Sequence, residues 1–466
     1  MADAYRPTAN VPRGRYDWDH VPQDSASSFE EALERARDGD RLTVDDATEL
    51  LATGTDVTGI DEDRKQRVLA LADRRRREVV GDDVTFVANL NNNVTTACTV
   101  GCLFCNFKDP ARAFEEGPPE AADEAAGGGG ATGGFTKTVD ESRAIVEDAV
   151  DRGVYEVCSV SGLHPALALD AEHRDALAAG AGDAPDVTWK PPSAYETDPG
   201  TYAAQIRAMA STGAHVHAVT PEEASHARRG TDRSYEAVYA RLAEAGLDTV
   251  PGTAAEVLVD EVRDAICPGK IDTQGWLDAM RGAAAAGLGT TATIMYGHVE
   301  NERHRALHLD RVRDLQDATG AITEFVPLSF VHPETPLVER GMVDEGASRA
   351  EDELMIAVSR LFLDNVEHVQ SSWVKYGDDF GLHLLDCGAD DFMGTILSEE
   401  ITKRAGGDHG EFRSFADYVE LIDGIGRRPV ERTTDYRETR AIDPSDPPFG
   451  PQLGPRADGT PLLDEE

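Results

Sequence analysis

The sequence lacks any run of about 18 apolar residues, the length that a membrane-spanning helix requires. Its polar beginning, MADAYRPTANVPRGRYDW, also lacks the apolar core of a secretory signal peptide. These two absences predict a cytoplasmic protein that does not insert into membranes. The chain is nevertheless 40% hydrophobic over 466 residues, enough to bury the core of one large domain or of two to three ordinary ones.

Lysine is scarce, since it supplies seven of the 45 basic residues, against 87 acidic ones. The resulting net charge of −42 excludes the basic surface that a nucleic-acid-binding protein needs. Charge of this size destabilises a folded chain by self-repulsion unless salt screens it. Because the acidic residues are spread along the whole chain, we interpret them as a halophilic adaptation to a salt-rich cytoplasm; an ordinary acidic protein is the alternative.

Cysteine is also infrequent, and six residues do not build a disulfide scaffold. Three of them nevertheless fall within one short stretch, NNNVTTACTVGCLFCNFKD at 91–109. They are Cys98, Cys102 and Cys105, spaced C-x3-C-x2-C with Phe104 before the last thiol. The remaining three are isolated and are interpreted as small buried core residues: Cys158, Cys267 and Cys387.

After the N-terminal region, the pattern alternates between short apolar strands and helices. Six segments are predicted to be strands: 83–90, 154–161, 215–219, 247–250, 290–295 and 324–330. Short apolar strands joined by helices predict a parallel sheet or barrel. Polar residues follow the strand ends, where a parallel α/β architecture carries its site, and the cysteine stretch directly follows the first strand.

The same pattern predicts the domain organisation. A helical N-terminal lead-in is predicted over 1–80 and a barrel domain over 81–335, interrupted by a flexible low-complexity insertion at 117–134. A helical C-terminal extension is predicted over 336–440, followed by a Pro-, Asp- and Gly-rich tail at 441–466.

Three cysteines without a nearby fourth cysteine or histidine limit the metal chemistry. Structural zinc takes four ligands and would need a distant one, and the pair Cys102-x-x-Cys105 alone is compatible with a thioredoxin-like redox function. An iron–sulfur cluster usually takes four thiolates. Three thiolates would hold three irons of a [4Fe-4S] cluster and leave the fourth open for an amine and a carboxylate, which S-adenosylmethionine (SAM) carries.

The spacing C-x3-C-x-aromatic-C after a first strand, followed by alternating helices and strands, resembles the radical SAM enzymes. Further segments resemble the branch that joins aromatic precursors to other metabolites, and within it the tyrosine-using deazaflavin synthase subunits, the CofH family. These segments are GLHP (162–165), PGTAAE (251–256), ICPGKI (266–271), TATIMYGHVE (291–300), TEFVPLSFVHP (323–333), WVKYG (373–377) and GADDFMGT (388–395).

The resemblance implies an α/β fold with a partial (β/α)6 TIM-like barrel and helical segments at both ends. It implies a transferase that holds a [4Fe-4S] cluster on the three cysteines and cleaves SAM to a 5′-deoxyadenosyl radical. That radical would activate L-tyrosine, and the 4-hydroxybenzyl unit would be joined to 5-amino-6-(D-ribitylamino)uracil, a step toward the deazaflavin FO and coenzyme F-420. An electron donor and a partner subunit, CofG, which closes the ring, are implied as well.

The candidate site residues lie in the same segments. Ser161 and Gly162 are expected to contact the methionine part of SAM through their backbone, although the family often carries a GG-type sequence at this point. Glu256 follows a Pro-Gly turn and is expected to bind cosubstrate or substrate; stabilisation of a helix N-terminus is its structural alternative. Tyr296 and His298 are the candidate catalytic residues, as a substrate neighbour and as a proton relay. A core aromatic and a hydrogen-bonded structural histidine are their alternatives.

Three other readings stay open at the level of sequence. Sibling radical SAM enzymes of the futalosine menaquinone pathway, aminofutalosine synthase and dehypoxanthine futalosine cyclase, would share this barrel. A metal-stabilised binding protein would have no radical chemistry. A simple electron-transfer iron–sulfur protein is disfavoured by the missing fourth cysteine.

Overall fold

The structure is a computed structural model, and it describes residues 27–54, 61–115, 134–181, 189–396, 400–404, 406–407, 409 and 413–445. The predicted insertion at 117–134 and the predicted tail at 441–466 lie largely outside the described residues, so both stay predictions.

Helices and strands alternate through most of this length. The α-helices are α1 (Phe29–Asp38), α2 (Val44–Leu51), α3 (Glu62–Val80), α4 (Val139–Asp151), α5 (Ala171–Ala176), α6 (Tyr202–Ala210), α7 (Pro221–Arg228), α8 (Tyr235–Ala243), α9 (Asp260–Ile266), α10 (Thr273–Ala285), α11 (Glu302–Thr319), α12 (Pro336–Glu339), α13 (Arg349–Phe362), α14 (Trp373–Tyr376), α15 (Asp378–Leu384), α16 (Glu400–Arg404) and α17 (Phe415–Gly424). The strands are β1 (Asp83–Val87), β2 (Asn89–Asn91), β3 (Ala97–Cys98), β4 (Asp109–Pro110), β5 (Glu156–Ser159), β6 (His215–Ala218), β7 (Thr249–Val250), β8 (Gly289–Tyr296), β9 (Ile322–Ser329), β10 (His368–Val369), β11 (Asp391–Gly394), β12 (Arg428–Arg432) and β13 (Thr439–Ala441).

Seven strands form one sheet in the order β2-β5-β6-β7-β8-β9-β10. Every neighbouring pair is parallel. Helices α4, α6, α8, α10 and α11 lie in the crossovers, because parallel neighbours cannot be joined by a tight turn. The sheet curls into a half-barrel, which confirms the predicted α/β, TIM-like architecture. Its seventh strand, β10, comes from the segment predicted as the helical C-terminal extension.

The segment predicted as one strand over 83–90 is divided between two sheets. β1 belongs to a four-stranded sheet with the order β11-β1-β12-β13, whereas β2 begins the half-barrel. Between them, the Ala88 carbonyl accepts from the amides of Tyr155 and Glu156 at 2.9 and 3.2 Å, where the chain changes partners. Both β11 and β12 run parallel to β1, so the C-terminal region returns to the start of the barrel.

Two clusters of buried apolar residues hold these layers together. The larger one joins α2, α3 and α13 to β8, β9 and the C-terminal helices. The smaller one fills the space between β5, β6 and β7 and the helices α4, α6 and α8. Within the described residues, no helix combines the length and the apolar composition that crossing a membrane would demand.

Candidate active site

The cysteine stretch is held at the carboxyl end of the sheet by backbone hydrogen bonds. The Thr99 amide donates to the Leu163 carbonyl at 3.3 Å, just beyond β5. The Leu103 amide donates to the Ile266 carbonyl at 2.9 Å, at the end of α9. These bonds anchor the loop to two crossovers and bring its thiols to the edge where parallel α/β folds carry their sites.

Ser161 and Gly162 fix how closely the cysteine stretch approaches β5. The Ser161 hydroxyl accepts from the Val94 amide at 2.7 Å, and the Gly162 amide donates to the Thr95 carbonyl at 2.8 Å. A Cβ on Gly162 would lie 2.5 Å from the carbonyl oxygen of Ala97. Because that neighbour is backbone rather than a flexible side chain, only glycine allows this packing.

A cavity of about 220 Å³ opens beside the cysteines. Its wall is built from the carboxyl ends of β5, β6, β7, β8 and β9 together with the cysteine loop. Six of the eight predicted site residues line it: Cys98, Cys102, Cys105, Ser161, Gly162 and Glu256. The structure therefore brings the three thiols and the three predicted cofactor-binding residues together in one space.

The three thiols suit a cationic group larger than a single metal ion. Burial raises the pKa of Cys102 and of Cys105, so a thiolate at either position needs a compensating cation. Among the described residues, the only group of three potential ligand atoms that converges within 4.8 Å lies elsewhere, so these three sulfurs do not meet at one point. Thiolates on a single zinc ion would be about 3.8 Å apart. The donor set therefore fits an iron–sulfur cluster better than mononuclear zinc.

An ion pair lies in the cavity wall. The Lys270 ammonium is 2.6 Å from Oε1 of Glu256 and 5.3 Å from the centre of the Phe104 ring. Burial alone would lower the pKa of Lys270, but Glu256 raises it well above the usual value, so the ammonium stays charged. Glu222 also lines the cavity, where its carboxylate accepts from the Ile271 amide at 3.1 Å and burial raises its pKa.

Two carboxylates of the wall have unusual settings. Glu256 has a φ of 47°, a conformation that L-residues seldom adopt and that is concentrated at functional sites. Glu223 lies in the first turn of α7, where the amide and hydroxyl of Thr220 donate to it at 3.0 and 2.9 Å. Burial outweighs these bonds and raises the pKa of Glu223 to about 7. This group can therefore exchange a proton near neutral pH.

Tyr296 and His298, the candidate catalytic residues, are not part of the cavity wall. The Tyr296 hydroxyl donates to Oδ1 of Asp352 at 2.7 Å and lies 3.0 Å from the Tyr376 hydroxyl. Nε2 of His298 is 3.0 Å from the carbonyl of Met295. Both side chains are fully buried, so the structure gives them no direct access to a molecule in the cavity.

Lys270 and Glu223 were not among the site residues predicted from the sequence. A signal for the lysine was available in the sequence, because Lys270 lies in ICPGKI (266–271), one of the segments that carry the resemblance. Three of the seven lysines line this cavity: Lys108, Lys270 and Lys375. Glu223 had a weaker signal, as the residue that follows the polar strand end Thr220-Pro221-Glu222.

A curled parallel sheet with three cysteines around a cavity at its carboxyl end defines the class of radical SAM enzymes. Residues 92–312 match the family model described as the Radical SAM superfamily. Residues 318–444 match the model described as the CofH/MqnC C-terminal region. The two matches together cover the half-barrel from β5 to β10, except residues 313–317 within α11, and the C-terminal extension.

Curated relatives narrow the class to one family. Two proteins named 5-amino-6-(D-ribitylamino)uracil--L-tyrosine 4-hydroxyphenyl transferase, from Haloarcula marismortui and Halobacterium salinarum, are each 67% identical to this chain. The match to the Haloarcula protein covers 98% of this chain and 99% of that protein. The match to the Halobacterium protein covers 96% of each. The chain belongs to this transferase family within the radical SAM superfamily.

Longer relatives and solved structures extend the comparison. The FO synthase of Mycobacterium tuberculosis is 37% identical over 80% of this chain, but the match spans 38% of that longer protein. The crystal structure of methylornithine synthase (PylB) superposes with a TM-score of 0.57 at 16% identity, covering 85% of this chain and 97% of that one. At such low identity the superposition supports the fold alone.

Proposed function

We propose that this chain is a radical SAM transferase that joins the 4-hydroxybenzyl unit of L-tyrosine to 5-amino-6-(D-ribitylamino)uracil, a step toward the deazaflavin FO and coenzyme F-420. The observation that carries the proposal is the single cavity that gathers Cys98, Cys102 and Cys105 at the carboxyl end of the half-barrel. The 67% identity to two curated transferases of that name supports the choice of substrates.

The three cysteines would hold a [4Fe-4S] cluster and leave one iron without a protein ligand, so that it can bind the amine and carboxylate of SAM. When bound, the cluster and SAM supply the 5′-deoxyadenosyl radical that removes a hydrogen atom from tyrosine. Ser161 and Gly162 would offer backbone groups to the methionine part of SAM, with Glu256 beside them on the wall.

The lysines of the cavity suit substrates that carry carboxylates. SAM and tyrosine both have an α-carboxylate, and an ammonium in a partly dehydrated cavity binds such a group more strongly than it does in water. Glu256 holds Lys270 in place at 2.6 Å, which fixes the position of one such ammonium. Lys375 is fixed as well, because its ammonium donates to Oγ1 of Thr402 at 2.8 Å.

We assign positioning roles to Tyr296 and His298. Tyr296 hydrogen-bonds to Asp352, which also hydrogen-bonds to Ser329, a residue of the cavity wall. His298 holds the carbonyl of Met295, whose side chain lines the cavity. Both residues would act on substrate through a neighbour rather than by contact.

The cavity also suits chemistry that must exclude water. Much of its wall is apolar, with Phe104, Phe107, Leu163, Leu328 and Phe330 among the lining residues. A substrate that fills this space would displace solvent, which prevents side reactions of a reactive intermediate.

A second enzyme would complete the chromophore. Because the chain matches 38% of the longer FO synthase of Mycobacterium tuberculosis, the rest of that protein has room for another activity. In the present system we assign that activity to a separate partner subunit, CofG, and the reduction of the cluster to a separate electron donor.

The test is an anaerobic reaction of the cluster-loaded chain with dithionite, SAM, L-tyrosine and the ribitylaminouracil, analysed by mass spectrometry. We expect 5′-deoxyadenosine and a hydroxybenzyl adduct of the uracil. Deoxyadenosine without the adduct would overturn the assignment of the substrates. A parallel reaction that consumes a futalosine-type compound would then identify a sibling enzyme. No deoxyadenosine from a sample with an intact cluster would overturn the radical chemistry.

Replacement of the cysteines tests the cluster assignment. Cys98→Ala, Cys102→Ala and Cys105→Ala should each reduce 5′-deoxyadenosine to the level of a reaction without enzyme, because each variant removes one of three thiolates. Cys158→Ala is the matched control, since Cys158 lies in β5 and does not line the cavity. Cleavage of SAM retained in any one of the three variants would contradict the assignment.

A further inference from the structure

Three potential metal ligands converge outside the cysteine cavity, where the C-terminal extension meets the N-terminal lead-in. Glu353 on α13, His383 on α15 and Cys387 just beyond α15 each offer one ligand atom, and these atoms all lie within 4.8 Å of one another. It is the only such group of three within the described residues. Cys387 was interpreted from the sequence as an isolated core residue, whereas the structure places its thiol beside Glu353 and His383.

The distances within this group suit a four-coordinate ion. Nε2 of His383 lies 3.6 Å from Sγ of Cys387 and 2.8 Å from Oε1 of Glu353. Nitrogen and sulfur ligands of a tetrahedral zinc ion are about 3.6 Å apart, and nitrogen and oxygen ligands about 3.4 Å apart. One ring nitrogen therefore already faces both other ligands, and a widening of the N–O contact by about half an ångström would admit the ion.

Neighbouring residues orient these ligands. Lys65 on α3 donates to Oε2 of Glu353 at 2.6 Å, which turns Oε1 toward His383. The ring of Phe380 stacks on that of His383 with the centroids 5.8 Å apart and the planes 19° apart. Contacts of this kind hold ligands in position at metal sites. Lys65 and the ion would share the carboxylate, one on each oxygen.

Access and charge also favour a divalent cation. The side chain of His383 is 48% exposed, whereas Cys387 is buried, so solvent can deliver the ion and supply a water as the fourth ligand. Glu353 contributes a carboxylate to this group, and its Oε1 lies 2.8 Å from Nε2 of His383. A divalent cation would therefore meet a negatively charged ligand at this site.

We propose that Glu353, His383 and Cys387 form a zinc-binding site, completed by water, that joins α15 to α13. The set of one thiolate, one imidazole and one carboxylate is of the kind that zinc accepts. On binding, a sulfur–zinc bond replaces the sulfur–hydrogen bond of Cys387, and a nitrogen–zinc bond replaces the nitrogen–hydrogen bond that Nε2 of His383 directs at Glu353. Both displaced protons leave these two atoms, for solvent or, in the case of the imidazole, for its other nitrogen, without any change of oxidation state. The site shares no ligand with the cysteine triad of the cavity.

The test is a titration of the cluster-loaded, full-length chain with ZnCl₂ against a chromophoric chelator, under anaerobic conditions, with zinc counted per chain after gel filtration. The wild-type chain should bind a single zinc and melt at a higher temperature when zinc is present. His383→Ala and Cys387→Ala should each weaken zinc binding at least about tenfold, because each removes one ligand.

Two controls separate this site from other thiols and imidazoles. Cys158→Ala and His409→Ala should bind zinc as the wild type does. A variant with Cys98, Cys102 and Cys105 all replaced by Ala should also bind a single zinc.

Three outcomes would overturn the site: no zinc on the wild-type chain, zinc bound by His383→Ala as tightly as by the wild type, or zinc lost with the cavity cysteines. His383→Ala keeps the test decisive if Cys387→Ala folds poorly, because the half-exposed histidine is not part of the packed core.

Discussion

At the scale of single residues, the cluster loop depends on the absence of a side chain at Gly162. A methyl group there would lie 2.5 Å from the Ala97 carbonyl oxygen and 3.1 Å from that of Thr95. We expect Gly162→Ala to destabilise the fold by about 1–3 kcal/mol, as overpacking of a well-packed site does. It should also lower the iron and sulfide content after reconstitution, because Cys98 follows the displaced carbonyl directly.

Gly424→Ala is the control for this substitution, because a Cβ on Gly424 meets nothing within 4 Å. Its stability and iron content should equal those of the wild type. Normal iron content together with normal stability in Gly162→Ala would refute the steric argument.

Asp352 makes stability depend on pH. Burial raises its pKa from 3.8 to about 7, although Tyr296 and Ser329 act in the opposite direction. The folded chain therefore holds a proton that the unfolded chain releases between about pH 4 and 7, so this group lowers the free energy of unfolding as pH rises through that range. Asp352→Asn stays neutral and keeps an acceptor for Tyr296.

Denaturant titrations at pH 5 and pH 8 measure this effect. The wild type should lose at least about 1 kcal/mol more stability than Asp352→Asn over that interval. Asp40→Asn, at an exposed position, should follow the wild type. Identical pH dependence in wild type and Asp352→Asn would exclude Asp352 as the titrating group.

A site residue could be predicted from the sequence where the other residues of its group lie close to it in the chain. The three cysteines share one loop, so their spacing alone indicated a common ligand set. Lys270 reaches the same cavity from another crossover, so no spacing connects it to the cysteines, and only the resemblance of its segment ICPGKI (266–271) points to it. Tyr296 was predicted because it ends a strand, but side chains alternate between the faces of a strand. Met295 faces the cavity, and its neighbour Tyr296 turns toward Asp352.

At the scale of elements, β12 secures the return of the C-terminal region to the barrel. Arg432 is buried, and its guanidinium lies 2.7 Å from Oδ2 of Asp391 and 3.2 Å from Oε2 of Glu324. Replacement of Arg432 by an uncharged residue would leave two buried carboxylates without a cation beside them. We expect Arg432→Met to cost about 3–5 kcal/mol of unfolding free energy in a denaturant titration.

The same strand supplies the control. Arg428 pairs with Asp83 at 2.5 Å, but the two side chains are 62% and 34% exposed, so Arg428→Met should cost about 1 kcal/mol or less. If the two variants are equally stable, the buried network does not hold the sheets together.

Some elements differ from those that the sequence pattern predicts, because contacts with other parts of the fold decide where they begin and end. Between β6 and β7 the chain forms two helices, α7 and α8, rather than one, because it turns through Gly230 with a φ of 68°. The extension predicted to be helical over 336–440 contains β11, which pairs with β1 about three hundred residues earlier in the chain. Such a distant partner leaves no mark in the local sequence. The strands predicted over 154–161, 215–219, 247–250, 290–295 and 324–330 correspond to β5 to β9, since each is an apolar segment between helices.

At the scale of the whole molecule, the net charge of −42 sets the conditions for stability. Salt weakens both the attraction within surface ion pairs and the repulsion between unpaired acids. Each exposed ion pair contributes about 1 kcal/mol or less to the free energy of unfolding. Even if every basic residue were paired with an acidic one, 42 acidic residues would remain in excess. Repulsion therefore dominates, and screening it should stabilise the fold. Two relatives at 67% identity come from Haloarcula and Halobacterium, which agrees with salt adaptation.

We therefore expect the melting temperature to rise as KCl increases from about 0.1 M to about 1 M, over which the Debye length falls from about 10 Å to about 3 Å. Calorimetry of the chain at fixed pH measures the change. Sorbitol at the same osmolality is the control, because it alters water activity without screening charge, and it should raise the melting temperature less than KCl does. A melting temperature that stays constant or falls with KCl would mean that the ion pairs outweigh the excess acids, and the acidic surface would then need another explanation than salt adaptation.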